Sequence, residues 1–262
     1  MRKILVLGHK GMLGNAVYRF FNSKENYTSF TINSKWNSED FKEELRKINV
    51  DIIINCIGVI PQKKPTLENY KSVNIDLPIF LDSLGKKIIH PSTDCEFLGD
   101  LDPTLKYSKS NARNATDDYG KSKAVISKMI EETFHNTKII RTSIIGHELN
   151  SSNGLLDWFL NSESKVNGYT NHYWNGITTL QWSKEAYYLI ENWDPASKLN
   201  QIGTEKNLSK YEVLMLIKEI YKKNIEIIPF EAKETINKCL ESDKKIIDLD
   251  EQLKELKGFY GK

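Results

Sequence analysis

The sequence predicts an α/β protein built on a doubly wound parallel sheet, with a smaller C-terminal α/β lobe. Three observations carry this. Apolar runs rich in branched residues, at 3–7, 52–54 and 138–145, read as strands buried on both faces. Segments of helical period stand between them, the alternation that parallel sheets require. A glycine loop, Gly8-His9-Lys10-Gly11-Met12-Leu13-Gly14, joins the first run to the first helical segment.

Taken in order, 3–7 is the first strand, and Ala16, Val17, Phe20 and Phe21 mark the helix after the loop. Residues 27–32 are a second strand. Residues 38–48 form an amphipathic helix with Ser38 as its N-cap. The third strand, 52–54, leads into Asn55-Cys56-Ile57-Gly58. Residues 66–84 are helical, contain Asn74, and are expected to break at Pro78. A strand at 86–90 ends in Pro91-Ser92-Thr93-Asp94, and a helix runs from Tyr119 to about Phe134. One strand is expected across 138–145. Beyond Gly146 the pattern loosens. Residues 154–159 and 183–192 read as helices, 169–180 as loop with a short strand, 209–221 as a helix, 225–228 as a strand, 232–240 as loop and 249–256 as a last helix.

Composition narrows the function. With 37 basic and 35 acidic residues the net charge is +2, and no basic block stands out, so nucleic acid is not an expected partner. The lysines at 42–47 alternate with glutamates, as on a solvated helix face. Cys56, Cys95 and Cys239 are odd in number and form no C-x-x-C pair, which argues against a disulfide framework or a metal site. The N-terminal apolar run is too short for a signal peptide or membrane span, so a cytoplasmic protein with no membrane partner is expected.

Two motifs point to chemistry. The glycines of the 8–14 loop permit a tight turn and close approach to a phosphate, and the following helix N-terminus offers free N–H groups and a positive dipole end. A glycine-rich turn without a ligand is the bland alternative. Tyr119 and Lys123 lie four residues apart at a helix start, so phenol and ammonium share a face and the cation favours phenolate. That makes Tyr119 a proton donor or acceptor, with Thr93 as a hydroxyl for a substrate oxygen and Lys123 as tuner and ribose contact. No acid ends the second strand. Asn33, Ser34 and Lys35 stand there instead, a set suited to a 2′-phosphate, so NADP is expected ahead of NAD.

The loop GHKGMLG at 8–14, NCIG at 55–58, HPSTDCEFLGD at 90–100, YGKSK at 119–123 and RTSIIG at 141–146 resemble the extended short-chain dehydrogenase/reductases. The nearest branch is that of dTDP-4-dehydrorhamnose reductase, which the stretches at 208–211 and 237–240 also fit. The resemblance implies an NAD(P)H-dependent reductase of a 4-keto nucleotide-diphosphate sugar, in deoxysugar biosynthesis for surface polysaccharide. It implies a Rossmann-type dinucleotide-binding domain at 1–146, with 171–195 returning to it, and a substrate-binding lobe at 147–170 and 196–262; a homodimer fits the family. Thr93, Tyr119 and Lys123 would be catalytic. Gly8, His9, Lys10, Gly11, Met12 and Leu13 would take the cofactor pyrophosphate. Cys56, Ile57 and Gly58 would line its cleft, and Thr142 and Ser143 would sit near the nicotinamide. Thr93, Asp94, Cys95, Trp174 and Asn175 would face the sugar, with Cys95 where relatives often carry a tyrosine. Departure from the family wording at 173–176 leaves the sugar open. An epimerase retaining NAD and a non-catalytic subunit binding NADP or a nucleotide sugar stand as alternatives.

Bland readings stand beside these. Cys56 and Cys95 fit small buried residues, and His9 a loop-shape residue. Arg141 fits a salt bridge as well as a diphosphate contact. His90 and His147 lie near strand ends, where a substrate contact is one option.

Overall fold

The computed structural model describes residues 1–194 and 196–262. In chain order it begins with β1 (Arg2–Leu7), α1 (Met12–Asn22), β2 (Tyr27–Phe30), α2 (Glu39–Lys47) and β3 (Ile52–Asn55). A helical stretch follows: α3 (Leu67–Asn69), a wide π turn (Tyr70–Asp76) and α4 (Leu77–Asp82). Then come β4 (Lys87–Ser92), α5 (Asp118–Thr133), β5 (Thr137–Arg141), β6 (Ile144–Ile145), α6 (Leu155–Asn161), β7 (Val166–Tyr169), β8 (His172–Trp174) and β9 (Ile177–Thr178). The chain closes with α7 (Thr179–Glu191), β10 (Leu199–Gln201), β11 (Leu208–Ser209), α8 (Lys210–Tyr221), β12 (Ile227–Phe230), β13 (Ile236–Asn237) and α9 (Leu249–Tyr260).

Two compact units result. The first comprises residues 1–92, 116–140 and 183–200, and the second 93–115, 141–182 and 201–262. The division drawn from the sequence kept 93–115 and 141–146 in the first domain and returned 171–195 to it; Pro195 lies outside the described residues.

The first unit is organised by a sheet of order β10-β5-β4-β3-β1-β2, six-stranded among the described residues. β1 pairs in parallel with β2 and β3, and β3 with β4, so these strand ends point one way. Ile4 to Leu7 and Ile52 to Asn55 are buried throughout, as strands covered on both faces must be. Leu5, Leu7, Phe41, Leu45, Ile53, Leu77, Leu81 and Ile88 form one core beneath α2 and α4. Ser38 caps α2 as expected, its hydroxyl accepting from Phe41 N at 3.2 Å.

The second unit carries small sheets: β11-β8-β13, β12-β7 and β6-β9. Its connection 93–115 is anchored from within. Phe97 stacks on Tyr107 at 4.2 Å with planes 7° apart, against Leu240. The Glu96 carboxylate, fully buried, takes Arg141 and Arg113, each at 2.7 Å. Arg141 also donates to Gln201 Oε1 at 3.0 Å, so its role is structural.

Several sequence expectations change in form. The strand expected across 138–145 is two, because the chain changes ladders: Arg141 O accepts from Ile202 N at 3.0 Å, while Ser143 O accepts from Ile177 N at 2.9 Å. Pro78 does not break its helix. It sits at the start of α4 after a π turn, and that wider turn precedes a ring that lacks an N–H and crowds the carbonyl four residues back. The loop expected at 169–180 holds β8 and β9, and 232–240 holds β13. Each is so short that only a partner distant in sequence defines it.

Candidate active site

The first unit builds the loop. Gly8 has φ +75°, and a Cβ there would lie 2.9 Å from the Cys56 carbonyl group. A Cβ on Gly14 would stand 2.1 Å from Gly8 O, so the turn closes only with glycine at both places. Gly11 is different: its Cβ would meet Gly8 O at 3.4 Å, an ordinary contact. The fold does not require glycine there, and the bare backbone is open to a ligand. Gly11 is the N-cap of α1, with no side-chain cap and no acid in the first turn. Its N–H groups and dipole are thus presented unopposed, which fits a pyrophosphate. His9 lies half-buried against Tyr18, its imidazole pKa lowered by burial and by Lys10, and Lys10 is exposed. Met12 is half-buried and Leu13 buried. Cys56 and Ile57 are half-buried beside Gly8, Gly58 is exposed, and desolvation pushes the Cys56 thiol up.

Asn33, Ser34 and Lys35 follow β2, which ends at Phe30. The expectation of a site without an acid changes here. Ser34 Oγ donates to Glu44 Oε2 at 3.0 Å, so α2 brings the carboxylate that the strand lacks.

Tyr119 and Lys123 lie in the first turns of α5, whose N-cap Asp117 accepts from Gly120 N at 2.9 Å. Tyr119 is half-buried, its ring tilted against Tyr70 at 6.2 Å. Lys123 is 5% exposed, and its Nζ donates to Pro91 O at 3.0 Å, at the end of β4. Such a buried ammonium lets its charge act at short range in a low dielectric.

The surroundings of α5 are polar and largely hydrogen-bonded, His90 Nε2 being the buried exception. Asn74, within the π turn, accepts from Val59 N at 3.0 Å, donates to Val59 O at 3.2 Å and donates to Ser122 Oγ at 3.1 Å. Ser92 and Ser127 hydroxyls meet at 2.9 Å. Behind Lys123, Asn55 accepts from Ile57 N at 3.1 Å, which fixes its amide so that Nδ2 donates to His90 Nδ1 at 3.2 Å. His90 is 1% exposed, and burial together with Lys123 holds its pKa well below 6.5. His90 is therefore a neutral buried ring. Sequence reading named Asn74 in its helix and Ser122 in its motif without giving either a role, and did not name Asp117. The signal available was an Asn four residues before a proline in a helix.

The second unit holds the remaining candidates. Thr93 is buried. Its hydroxyl donates to Asp94 Oδ1 at 3.0 Å and accepts from Cys95 N at 3.1 Å, capping a short 3-10 turn. Asp94 is 6% exposed; burial raises its pKa, against the pull of Lys238 and Lys210. Cys95 is half-buried. Thr142 is buried and donates to Ser143 O at 3.1 Å, while Ser143 is half-buried. Trp174 is half-buried, its indole lying over Gly176. Asn175, expected among the sugar contacts, commits both amide protons inside the fold, to Thr204 O at 2.9 Å and Leu240 O at 2.8 Å. Its Oδ1 accepts from Leu240 N at 2.9 Å. Asn175 thereby ties two loops together. His147 is 2% exposed and held by Asp157 at 2.7 Å and the Tyr221 hydroxyl at 3.0 Å. No cluster of metal-ligating side chains exists among the described residues, and no helix among them is long and apolar enough to cross a membrane.

The family model described as "RmlD substrate binding domain" matches residues 1–166. No curated protein sequence matches the chain. Among solved structures, a dTDP-4-dehydrorhamnose reductase from Clostridium acetobutylicum superposes with TM-score 0.82 at 17% identity, covering 99% of this chain and 100% of that one. The Bacillus anthracis dTDP-4-dehydrorhamnose reductase in complex with NADP gives 0.82 at 16% identity, covering 98% and 99%. A UDP-glucose 4-epimerase from Thermotoga maritima, solved with UDP-glucose, gives 0.77 at 16%, covering 99% and 98%. At these identities the likeness establishes the α/β Rossmann-like fold.

Proposed function

The chain belongs to the RmlD substrate-binding-domain family, and from that premise we propose that it is an NADPH-dependent reductase of a 4-keto nucleotide-diphosphate sugar, in deoxysugar biosynthesis for surface polysaccharide. The observation that carries the reading is the pairing, on one sheet, of a bare glycine loop with a Tyr119 helix whose Lys123 is buried and anchored. NADPH, when bound, supplies the hydride to the keto carbon. Gly8, Gly11 and the first turn of α1 hold its pyrophosphate. Tyr119 gives its proton to the oxygen that becomes the hydroxyl. Lys123 favours that transfer electrostatically, because phenolate is the conjugate base left behind. Thr93, whose hydroxyl here donates to Asp94 Oδ1 at 3.0 Å, is the further hydroxyl that the family resemblance assigns to the substrate.

Turnover is tested by following NADPH absorbance against 4-keto sugars carried on dTDP, UDP, GDP and CDP. Tyr119→Phe is expected to bind NADPH with unchanged affinity and to lose about 100-fold or more in kcat, the usual contribution of a positioned proton donor. Full activity in Tyr119→Phe ends this reading. Tightly held NAD with no NADPH consumption points to an epimerase instead.

A further inference from the structure

One face of β3 and β4 carries a buried polar row. The two strands pair in the register Ile53↔Ile88 and Ile54↔Ile89, which sets Asn55 alongside His90. Alternation along β4 puts His90 and Ser92 on the face that holds Ile88, and there Ser92 Oγ meets Ser127 Oγ of α5 at 2.9 Å. Lys123, one turn before Ser127 on α5, donates at 3.0 Å to the carbonyl of Pro91, the residue between His90 and Ser92. His90 is therefore next in the chain to the group that holds the ammonium, on the face that α5 covers.

The hydrogen bonds fix the tautomer of His90. Ile57 N can only donate, so Asn55 turns its Oδ1 to it at 3.1 Å and its Nδ2 to His90 Nδ1 at 3.2 Å. Nδ1 therefore accepts, and the one proton of the neutral ring is on Nε2. The ring is 1% exposed beside a cation, and burial together with that cation keeps it neutral. Nε2 is buried and has no hydrogen-bond partner among the described residues. A buried donor without an acceptor is costly, and a leucine in the same place would avoid that cost. Lys123 cannot be the acceptor, because an ammonium only donates. A water molecule can: it accepts from two donors at once, and the Ser92 and Ser127 oxygens on the same face take its own protons.

We propose that His90 is a positioning residue for Lys123, acting through one internal water that accepts from Nε2–H and from the ammonium. This rests on the reductase reading above and adds a buried side chain to its proton-transfer pair. Held at two points, the Pro91 carbonyl and the water, the ammonium keeps one distance from the Tyr119 phenol. That distance sets how strongly it favours phenolate.

Two variants separate the two ring nitrogens. His90→Asn keeps an acceptor for Asn55 and loses the Nε2 donor, while His90→Gln brings an amide N–H to the reach of Nε2. His90→Asn is expected to lower kcat for the 4-keto sugar about tenfold, short of the roughly 100-fold that a displacement of about 1 Å can cost, with KM within about twofold. The alkaline limb of the kcat profile, where Tyr119 loses its proton, should move to higher pH, because Lys123 then steadies the phenolate less. Lost packing alone would lower kcat and leave that limb in place. His90→Gln restores most of kcat and returns the limb. A crystal structure of the wild type should show a water within about 3.2 Å of both His90 Nε2 and Lys123 Nζ. Unchanged kcat in His90→Asn, a fall with an unmoved limb, or no water at Nε2 overturns the assignment. If the wild type turns over no 4-keto sugar, the reductase reading falls, and the bridging water alone decides for or against His90. Cooperative thermal melts separate lost positioning from lost folding; if His90→Asn does not fold, His90→Gln and the wild-type crystal structure decide.

Discussion

The surroundings of α5 and the β11-β8-β13 face are built in opposite ways. Around Tyr119 and Lys123 the polar groups are buried and tied to one another: Asn74 to Val59 and Ser122, Ser92 to Ser127, Lys123 to the Pro91 carbonyl. On the other face, His172, Trp174, Lys210 and Lys238 are half-exposed, and the lysines have no ion-pair partner within 4.0 Å among the described residues. A group that moves a proton must be held to within a fraction of an ångström, which demands a satisfied network. Side chains on the open face are under no such demand. The two regions therefore differ in what a substitution costs.

The largest difference is expected at Asn74. Alanine there leaves Val59 N–H and C=O and the Ser122 hydroxyl without their partner, a loss of about 3 kcal/mol at roughly 1 kcal/mol per hydrogen bond. Urea unfolding reads this directly. Because Ser122 sits between Tyr119 and Lys123 on α5, kcat should fall as well. Lys238→Gln, the counterpart on the open face, should shift stability by less than about 0.5 kcal/mol. Equal shifts for the two variants would erase the contrast.

The same contrast explains what was legible in sequence. Tyr119 and Lys123 are one helical turn apart, and Gly8, Gly11 and Gly14 share one loop, so local spacing was enough to find them. The central strands were legible because burial on both faces makes them continuously apolar. Asn74 was not, since its partners Val59 and Ser122 lie 15 and 48 residues away. The face of the second unit was illegible for a stronger reason. Asp94 and Trp174 were reached only through the family resemblance, and 169–180 read as loop with one short strand because its two strands, β8 and β9, are ordered by partners distant in sequence, β11 and β13 for one and β6 for the other.

A middle-sized effect should come from pH. His90 is neutral in the folded chain because burial and Lys123 hold its pKa well below 6.5. In the unfolded chain it titrates near 6.5, so below that pH the unfolded state binds the extra proton. This contribution is fully present above pH 6.5 and declines as pH falls below it, because the unfolded chain gains a proton there that the folded ring does not take up. Denaturant midpoints across that range should show the decline, and His90→Asn should flatten the His90 part of the slope. An unchanged slope in His90→Asn would mean that the buried network around α5 tolerates charge.

The smallest effect concerns the adenosine end of the cofactor. Ser34 donates its hydroxyl to Glu44, both on the surface of the first unit, with Lys35 exposed beside them. A 2′-phosphate held by Ser34 and Lys35 must share that space with the Glu44 carboxylate, and like charges at the surface cost a fraction of a kcal/mol after screening. Glu44→Gln removes the charge and keeps the shape. NADPH affinity should then rise two- to fivefold, with NADH affinity nearly constant, since a repulsion of about 0.5–1 kcal/mol corresponds to that factor. The gain should shrink as salt is added. If NADPH affinity instead stays fixed while NADH binding weakens, Glu44 is reading a ribose hydroxyl in place of the missing strand-end acid. The cofactor preference drawn from Asn33, Ser34 and Lys35 would then reverse.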